Sequence, residues 1–586
     1  MSDISQNQTP STEPKAIRST RRNFLKGGAA AIAASAAVTS VAPASAQSSW
    51  GYFNKPAPLE PSPQPLPFCH GVASGDPLPD SVILWTRVTP DENARPGSGT
   101  GEATDVRWEV SPNESFDSVV ASGTARTSRS SDHTLHIDVK GLAPASVYYY
   151  RFIVEGGPHA GAHSPVGRTK TAPANNAHVE SFKIASFSCA NWEAGFYTPY
   201  RDMAERGRRG ELDLAVCLGD YIYEYGQRSN NKAAISAVRL YQPPHEILNL
   251  EDYRIRYGQA RTDLDLQAAH AALPWVAVWD DHEVANDTYD TGAQNHTEFT
   301  EGSYRARRAA ASQAYIEWMP IRSKALGEGG KLYRSFTFGD LFELTMMDLR
   351  TYRDKVGRIS GALSPSAPRS MLGDEQYQWL VNTLRSSKAK WNVLGNSVMF
   401  SPLAVGALRN DPNVKPVLNA MVENLGDNVQ LFADVAEYGV LVNSDQWDGY
   451  LMERKQLTID MAEAGVTPLF LTGDIHSEWA HTVYDGDKPL GCEMVCASIS
   501  ATGVGDILGH AVGPHPTMNG IAYNYLHNSN PQLRHVDWDA HGYCVATIRP
   551  DDVDMTWMRA DNIADPLSAV RPTVVLNWRK GVGFTN

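Results

Sequence analysis

Leu214-Ala215-Val216-Cys217-Leu218-Gly219-Asp220-Tyr221-Ile222-Tyr223 is an apolar run that ends in glycine and then delivers a carboxylate and a phenol three residues apart. A short, continuous apolar run closed by a turn residue is the pattern of a strand buried on both faces, as in the parallel sheets of α/β domains. The same pattern recurs on either side of this stretch. Ser181–Phe187 leads into Ser188-Cys189, and Trp275–Trp279 leads into Asp280-Asp281-His282-Glu283. Phe342–Met347 leads into Asp348-Leu349-Arg350, and Pro468–Thr472 leads into Gly473-Asp474-Ile475-His476. Five buried strands, each with polar residues at its C-terminal end, predict a site along one edge of a sheet. Tyr304–Met319 and Asp374–Leu384 have the composition of intervening helices.

Composition agrees with a large folded chain and excludes other classes. At 586 residues the chain is too long for one core and suits two or three domains. With 42% apolar residues and 14 Trp it has ample surface to bury, which rules out a disordered polymer. A net charge of −14 speaks against a general nucleic-acid-binding surface. Six Cys over this length are too few for a disulfide framework.

Residues 1–46 have the form of an export signal. Thr20-Arg21-Arg22-Asn23-Phe24-Leu25-Lys26 resembles the twin-arginine consensus, and an Ala-rich run follows it to Ala44-Ser45-Ala46, with cleavage expected after Ala46. The run is weakly apolar and contains Pro43, so it would span a bilayer poorly. The expected location is periplasmic or extracellular, with the twin-arginine machinery as partner of the precursor and no transmembrane segment afterwards. Residues 47–67 form a Pro-rich arm. From 68 to 172 the text is short strands, including Val82–Val88, Asp105–Val110 and Thr134–Val139. The Leu142-Ala143-Pro144 turn before Tyr148-Tyr149-Tyr150 resembles the tyrosine corner of immunoglobulin-like sandwiches. The fold expected is α+β and multi-domain. An immunoglobulin/fibronectin-like β-sandwich precedes a catalytic domain over 177–586.

Three strand exits carry metal-ligand chemistry. Gly219-Asp220-x-x-Tyr223 resembles the block of ferric purple-acid-type phosphatases in which the carboxylate bridges two metals and the phenolate binds iron. Asp281-His282-Glu283 resembles the Asn-His-Glu block of metallophosphoesterases, and Gly473-Asp474-x-His476 their Gly-His-x-His block. The three occur in the family's order, each after a buried strand.

Over nearly the whole mature chain the sequence is similar to the PhoD family of alkaline phosphatases and phosphodiesterases. The resemblance rests on Phe68–Pro77, Ile83–Arg87, Ser188-Cys189, Gly219–Glu224, Trp279–Val284, Asp348–Arg353, Trp447–Tyr450 and Leu471–Trp479. It implies a four-layer α/β/β/α metallophosphoesterase domain with Fe³⁺ and Ca²⁺, the latter in more than one copy. Cys189, Asp220, Tyr223 and His476 would give an ion three negative ligands, which suits a trivalent iron. Asp281 and Asp474, with the shared Asp220, offer only oxygen and suit Ca²⁺. The implied reaction is hydrolysis of phosphate esters by a metal-activated hydroxide. His282 is the candidate for protonating the leaving oxygen or contacting phosphate, or else it buttresses the loop. Arg350 is a candidate phosphate fork, or a partner of Asp348 or Glu343. Asp280 and Asn286 are candidates for outer positions or further calcium ligands.

Two other functions fit the same text: a phospholipase D-like phosphodiesterase on the same fold, and a non-catalytic extracellular binding protein that works through its β-sandwich. The ligand set favours an enzyme, monomeric, with no nucleic-acid site. Cys217 is expected in a buried strand and Cys544 in a late one. Cys492 and Cys496 are expected to be disulfide-bonded or simply buried, and Cys69 could pair with any of the others, Cys544 included. The inserts Gln227–Leu250 and Asp411–Tyr438 are the expected substrate-side elements.

Overall fold

The computed structural model describes residues 64–229, 237–356, 364, 366–404, 443–503, 505–506 and 526–585. The export signal, nearly all of the Pro-rich arm and the insert Asp411–Tyr438 lie outside these residues, as does part of Gln227–Leu250.

All five of the apolar runs form strands. Phe182–Phe187, Leu214–Cys217 and Pro274–Ala277 pair in parallel, in that order, within a ten-stranded sheet. Phe342–Met346, Trp391–Asn396, Pro468–Thr472 and Lys488–Val495 pair in parallel within a seven-stranded one. The two sheets face each other. Phe182 on the first meets Phe342 on the second at 5.2 Å between ring centroids, and Trp391 meets Trp578 at 5.7 Å.

Alternation along the strands of the second sheet explains its two covers. Val393, Leu469 and Leu471 point into the core between the sheets. Leu394 and Phe470 point the other way, into a second core with Leu380 and Leu384 of the helix Gly373–Ser386 and Leu457 and Met461 of the helix Leu451–Ala464. On the far side of the first sheet, Tyr200 and Met203 of Thr198–Arg208 and Leu266 and Ala269 of Leu264–Ala272 complete the packing. The result is the four-layer α/β/β/α order.

The N-terminal strands form two facing sheets around one core, in which Val72, Leu84 and Leu135 meet Val106, Tyr150 and Phe152. One of these sheets is not self-contained. Val72–Leu78, Ser81–Arg87 and Thr134–Lys140 extend the ten-stranded catalytic sheet, because Val72–Leu78 pairs in parallel with Pro274–Ala277 through Ser74↔Pro274 and Gly75↔Trp275. Only Ala121–Arg126, Asp105–Ser111, Val147–Val154 and Gly167–Lys170 make a separate four-stranded sheet. The sandwich and the catalytic domain therefore share a sheet. Buried Asp76 reinforces the junction by accepting from Arg334 Nη2 at 2.8 Å and from the Arg322 backbone N–H at 2.6 Å. In the resemblance to the tyrosine corner, the Tyr148 hydroxyl does bond back to a turn, accepting from the Ala143 N–H at 2.9 Å.

All six cysteines are free thiols and buried, so the disulfide reading of Cys492 and Cys496, and any pairing of Cys69, falls away. Cys217 and Cys544 both lie in strands, as expected.

Candidate metal centre

The exits of the parallel strands converge. Ligand atoms of Cys189, Asp220 and His476 all lie within 4.8 Å of one another, as do those of Asp220, Asp281 and His282, and those of Asp220, Asp280, Asp281 and Asp474. Asp220 belongs to all three groups. The Tyr223 hydroxyl lies 3.2 Å from His476 Nε2. All six ligand residues of the sequence analysis thus meet in one place, and His282 joins them.

The backbone is bent sharply to bring this about. Cys189 (φ 63°), Asp220 (φ 54°), Asp474 (φ 66°) and His476 (φ 51°) all occupy the left-handed region. For a residue with a Cβ this conformation costs on the order of 1–2 kcal/mol, and such strain gathers where function requires it. Gly219 makes the approach possible: with φ 107°, a Cβ there would stand 2.4 Å from the Asp280 backbone N. Glu283 then ties the two loops together. Its carboxylate accepts from the N–H groups of Asp220 (3.1 Å), Tyr221 (2.7 Å) and Asp280 (2.9 Å).

The imidazoles are oriented by outer partners. His476 Nδ1 donates to the Thr502 carbonyl at 2.8 Å, so Nε2 presents its lone pair to the cluster. Burial holds its pKa down to about 4, so it is neutral and able to ligate. His282 Nδ1 lies 2.7 Å from Glu224 Oε2, and its ring centroid is 4.2 Å from that of Tyr223. Burial works against the charge of His282, but Asp220, Asp281 and Glu224 outweigh it and push its pKa well above the ordinary range.

Arg350 is not presented as an open fork. Fully buried, it uses Nε and Nη2 on Asp280 (2.8 Å from Nη2 to Oδ2) and Nη1 on Asp445 at 2.7 Å, with Nη2 also 3.3 Å from Asp474. Neither Asp348 nor Glu343 is its ion-pair partner; Asp348 instead accepts from the Arg350 backbone N–H at 3.2 Å. Asp280 is thus the principal partner of Arg350. The Asn286 Oδ1 accepts from Tyr225 at 3.2 Å.

Arg350 and the charged His282 together do not balance this much negative charge. Burial, followed by repulsion among the carboxylates, raises the pKa of Asp220 and Asp474 well above the carboxylate range. Burial and the nearby Asp220 do the same to the Cys189 thiol and the Tyr223 phenol. Asp281 Oδ1 is buried without a hydrogen-bond partner, its nearest cation being Arg350 Nη2 at 3.6 Å. A multivalent cation reverses each of these shifts and takes up the orphaned oxygen. The donor set therefore fits metal ions.

Residues 184–557 match the family model described as PhoD-like phosphatase, and residues 54–173 match that of its N-terminal domain. The chain belongs to the PhoD-like phosphatase family. It is 39% identical over 457 residues to Alkaline phosphatase D of Bacillus subtilis (strain 168), covering 75% of this chain and 70% of that protein. The solved structure titled "Structure of PhoD" superposes with a TM-score of 0.73 at 34% identity, covering 89% of this chain and 92% of that one. The family resemblance drawn from the motifs is borne out, and this PhoD-like phosphatase is a phosphoric ester hydrolase with side-chain clusters able to hold metal ions.

Several residues around the centre escaped the sequence reading. Glu224 and Glu283 stood inside recognised blocks without roles. Thr502, Asp445 and Gln446, whose Nε2 donates to Asp474 Oδ2 at 3.0 Å, carried no signal. Their importance arises only from contacts between distant segments.

Proposed function

We propose that this PhoD-like phosphatase hydrolyses phosphate mono- or diesters at alkaline pH. Fe³⁺ would be held by Cys189, Asp220, Tyr223 and His476, and Ca²⁺ by Asp220, Asp281 and Asp474. The single observation carrying this reading is the convergence of a thiol, an imidazole and carboxylates on Asp220, in three groups whose ligand atoms each lie within 4.8 Å of one another, with the Tyr223 phenol 3.2 Å from the imidazole. When bound, such a pair of cations turns water into a nucleophile and neutralises charge on the phosphoryl oxygens.

The chain's own groups have distinct tasks in this reading. Asp220 is shared by both positions, and Glu283 fixes the loop that presents it. With Nδ1 of His282 engaged by Glu224, Nε2 is the nitrogen available to protonate the leaving oxygen or to contact phosphate. Arg350 acts on the substrate only through the carboxylates it aligns, Asp280 and Asp474.

Export through the twin-arginine route to the periplasm or beyond belongs to the same proposal, on the strength of Arg21-Arg22 and the Ala44-Ser45-Ala46 site. Among the described residues no helix is long and apolar enough to cross a membrane. Elemental analysis of the purified enzyme, with turnover of monoester and diester chromogens, tests the catalytic reading. A fully active preparation lacking both iron and calcium would overturn it. Accumulation of uncleaved precursor in the Arg21→Lys/Arg22→Lys variant tests the export route, and normal processing there would overturn that part.

A further inference from the structure

Arg261, just past the helix Leu250–Ala260, is completely buried, and among the described residues its guanidinium meets no carboxylate and no carbonyl; the Tyr221 phenol is the one polar group that bonds with it. Its guanidinium lies flat over the Trp85 ring at 3.9 Å, on the catalytic side of the junction between the N-terminal strands and the catalytic sheet. An arginine cannot shed its charge on burial as a lysine or histidine can. A buried cation therefore needs either a set of strong acceptors or an anion, and the stacked indole face with one phenol offers only part of the compensation.

The surrounding residues add donors rather than acceptors of charge. The Tyr150 hydroxyl sits beside Ser74 Oγ, and both are buried, as are His70 Nδ1 and His270 Nδ1, which have no partner among the described residues. Burial and the neighbouring arginines keep both histidines well below the usual imidazole range, so they are neutral. The Tyr221 hydroxyl is 3.0 Å from His270 Nε2; when the phenol donates there, the hydrogen of His270 sits on Nδ1. The groups that most favour the charge of Arg261 are the phenols of Tyr221 and Tyr150, and no carboxylate is among them. Elsewhere buried arginines find acceptors: Arg350 and Arg254 meet the carboxylates of Asp280 and Glu317, and Arg256 meets the backbone carbonyls of Gln242, Tyr223, Tyr225 and Pro243, whereas Arg261 has neither kind among the described residues.

We infer that Arg261 holds a small monovalent inorganic anion of chloride size at the junction of the N-terminal β domain and the catalytic domain. The ion completes the charge of the guanidinium and takes hydrogen bonds from the neighbouring hydroxyls and imidazoles. Because Ser74 and Tyr150 come from the N-terminal domain and Arg261 and His270 from the catalytic one, the ion links the two. It is a structural ligand, enclosed on folding, and it has no part in the metal chemistry.

Two measurements on the intact mature enzyme test this. In wild-type crystals, long-wavelength diffraction should give an anomalous peak beside the Arg261 guanidinium, as chloride does and water does not. After exhaustive dialysis into halide-free buffer and unfolding in urea, ion chromatography should recover about one inorganic anion per chain, the stoichiometry of a single site. The Arg261→Met variant should release none. A peak without anomalous signal marks buried water and overturns the inference. Equal anion release from wild type and Arg261→Met means an adventitious ion only, and overturns it as well. Should Arg261→Met fail to fold, the wild-type anomalous peak still decides.

Discussion

The Ser500 and Ala501 backbone N–H groups both converge on the carbonyl of Cys189, at 3.3 and 3.2 Å, and so fasten the loop after one strand to a ligand residue of another. One residue further on, the Thr502 carbonyl receives the Nδ1 proton of His476. A single five-residue loop thus positions two of the four groups proposed to hold iron, Cys189 and His476. Ser498 anchors the loop: its hydroxyl donates to the Ala501 carbonyl, so it must accept from His541 Nδ1, 3.0 Å away. His541 Nε2 faces Asp506 Oδ2, also at 3.0 Å. Both ring nitrogens of His541 therefore donate, which is the imidazolium form.

A pH-dependent stability follows from this anchor. Burial opposes the charge on His541, but Asp506 overrides it and raises the pKa above the ordinary value of 6.5. A group whose pKa is raised in the folded state stabilises fully below its unfolded pKa, and that contribution disappears as pH climbs through the folded value. The melting temperature of wild type should exceed that of His541→Gln most clearly below about pH 6.5, with the gap narrowing at alkaline pH. Thermal melts of both proteins across the pH range check it. A gap independent of pH would show that His541 is not charged in the fold.

Glu283→Gln should loosen the centre without changing a proposed ligand. The carboxylate satisfies three buried backbone N–H groups, those of Asp220, Tyr221 and Asp280. An amide has one acceptor oxygen, and its NH₂ would oppose at least one of those donors. Leaving a buried donor unpaired costs about 1–3 kcal/mol. The variant should melt earlier and retain less metal, read by calorimetry and elemental analysis on the same sample. Wild-type metal content together with wild-type stability would show that the tie is dispensable.

How much of this was legible depended on whether the cause is local. The parallel strands and their exits are written in contiguous residues, since an apolar run followed by Gly-Asp needs no distant partner to be recognised. The strand Val72–Leu78 was harder, because Gly75-Asp76-Pro77 has turn composition. Its extended backbone is imposed from outside: a Cβ on Gly75 would stand 2.1 Å from the Pro320 carbonyl oxygen, so only glycine lets the segments lie together. The shared sheet follows from that packing and has no local sequence mark. Arg350 illustrates the same limit within the site. Its type and position were visible, but Asp280 and Asp445 lie 70 and 95 residues away, and only the fold makes them its partners.

Removal of calcium should separate the two kinds of ion. The oxygen-only set of Asp281 and Asp474 would bind Ca²⁺ more weakly, and exchange it faster, than the set containing thiolate and phenolate binds Fe³⁺. The enzyme should be coloured, from phenolate-to-iron charge transfer at Tyr223. A calcium chelator should then abolish most turnover and leave the visible band in place, with activity returning on added calcium. Bleaching in step with lost activity, or activity restored only by zinc, would count against this division of ligands.

The Asp220→Asn variant bears most directly on the shared carboxylate. The substitution should leave the fold intact for a conformational reason: Asp220 has φ 54°, and Asn is among the few residues that tolerate the left-handed region. Its backbone N–H keeps the bond to Glu283, and the retained side-chain oxygen can still meet the His282 N–H, now 3.4 Å from Oδ1. What is lost is a negative charge common to all three ligand clusters, together with one oxygen donor, because an amide nitrogen does not ligate a hard cation. Both ions should bind poorly, and turnover should fall by a factor on the order of 10³ or more. Tyr223→Phe should be milder, since it removes one ligand and the colour but leaves Asp220, Asp281 and Asp474 in place. Metal content, visible spectrum and turnover measured together on wild type and both variants distinguish the cases. If Asp220→Asn keeps both metals and near-normal turnover, Asp220 does not bridge, and Gly219-Asp220 serves only to turn the chain at the end of its strand.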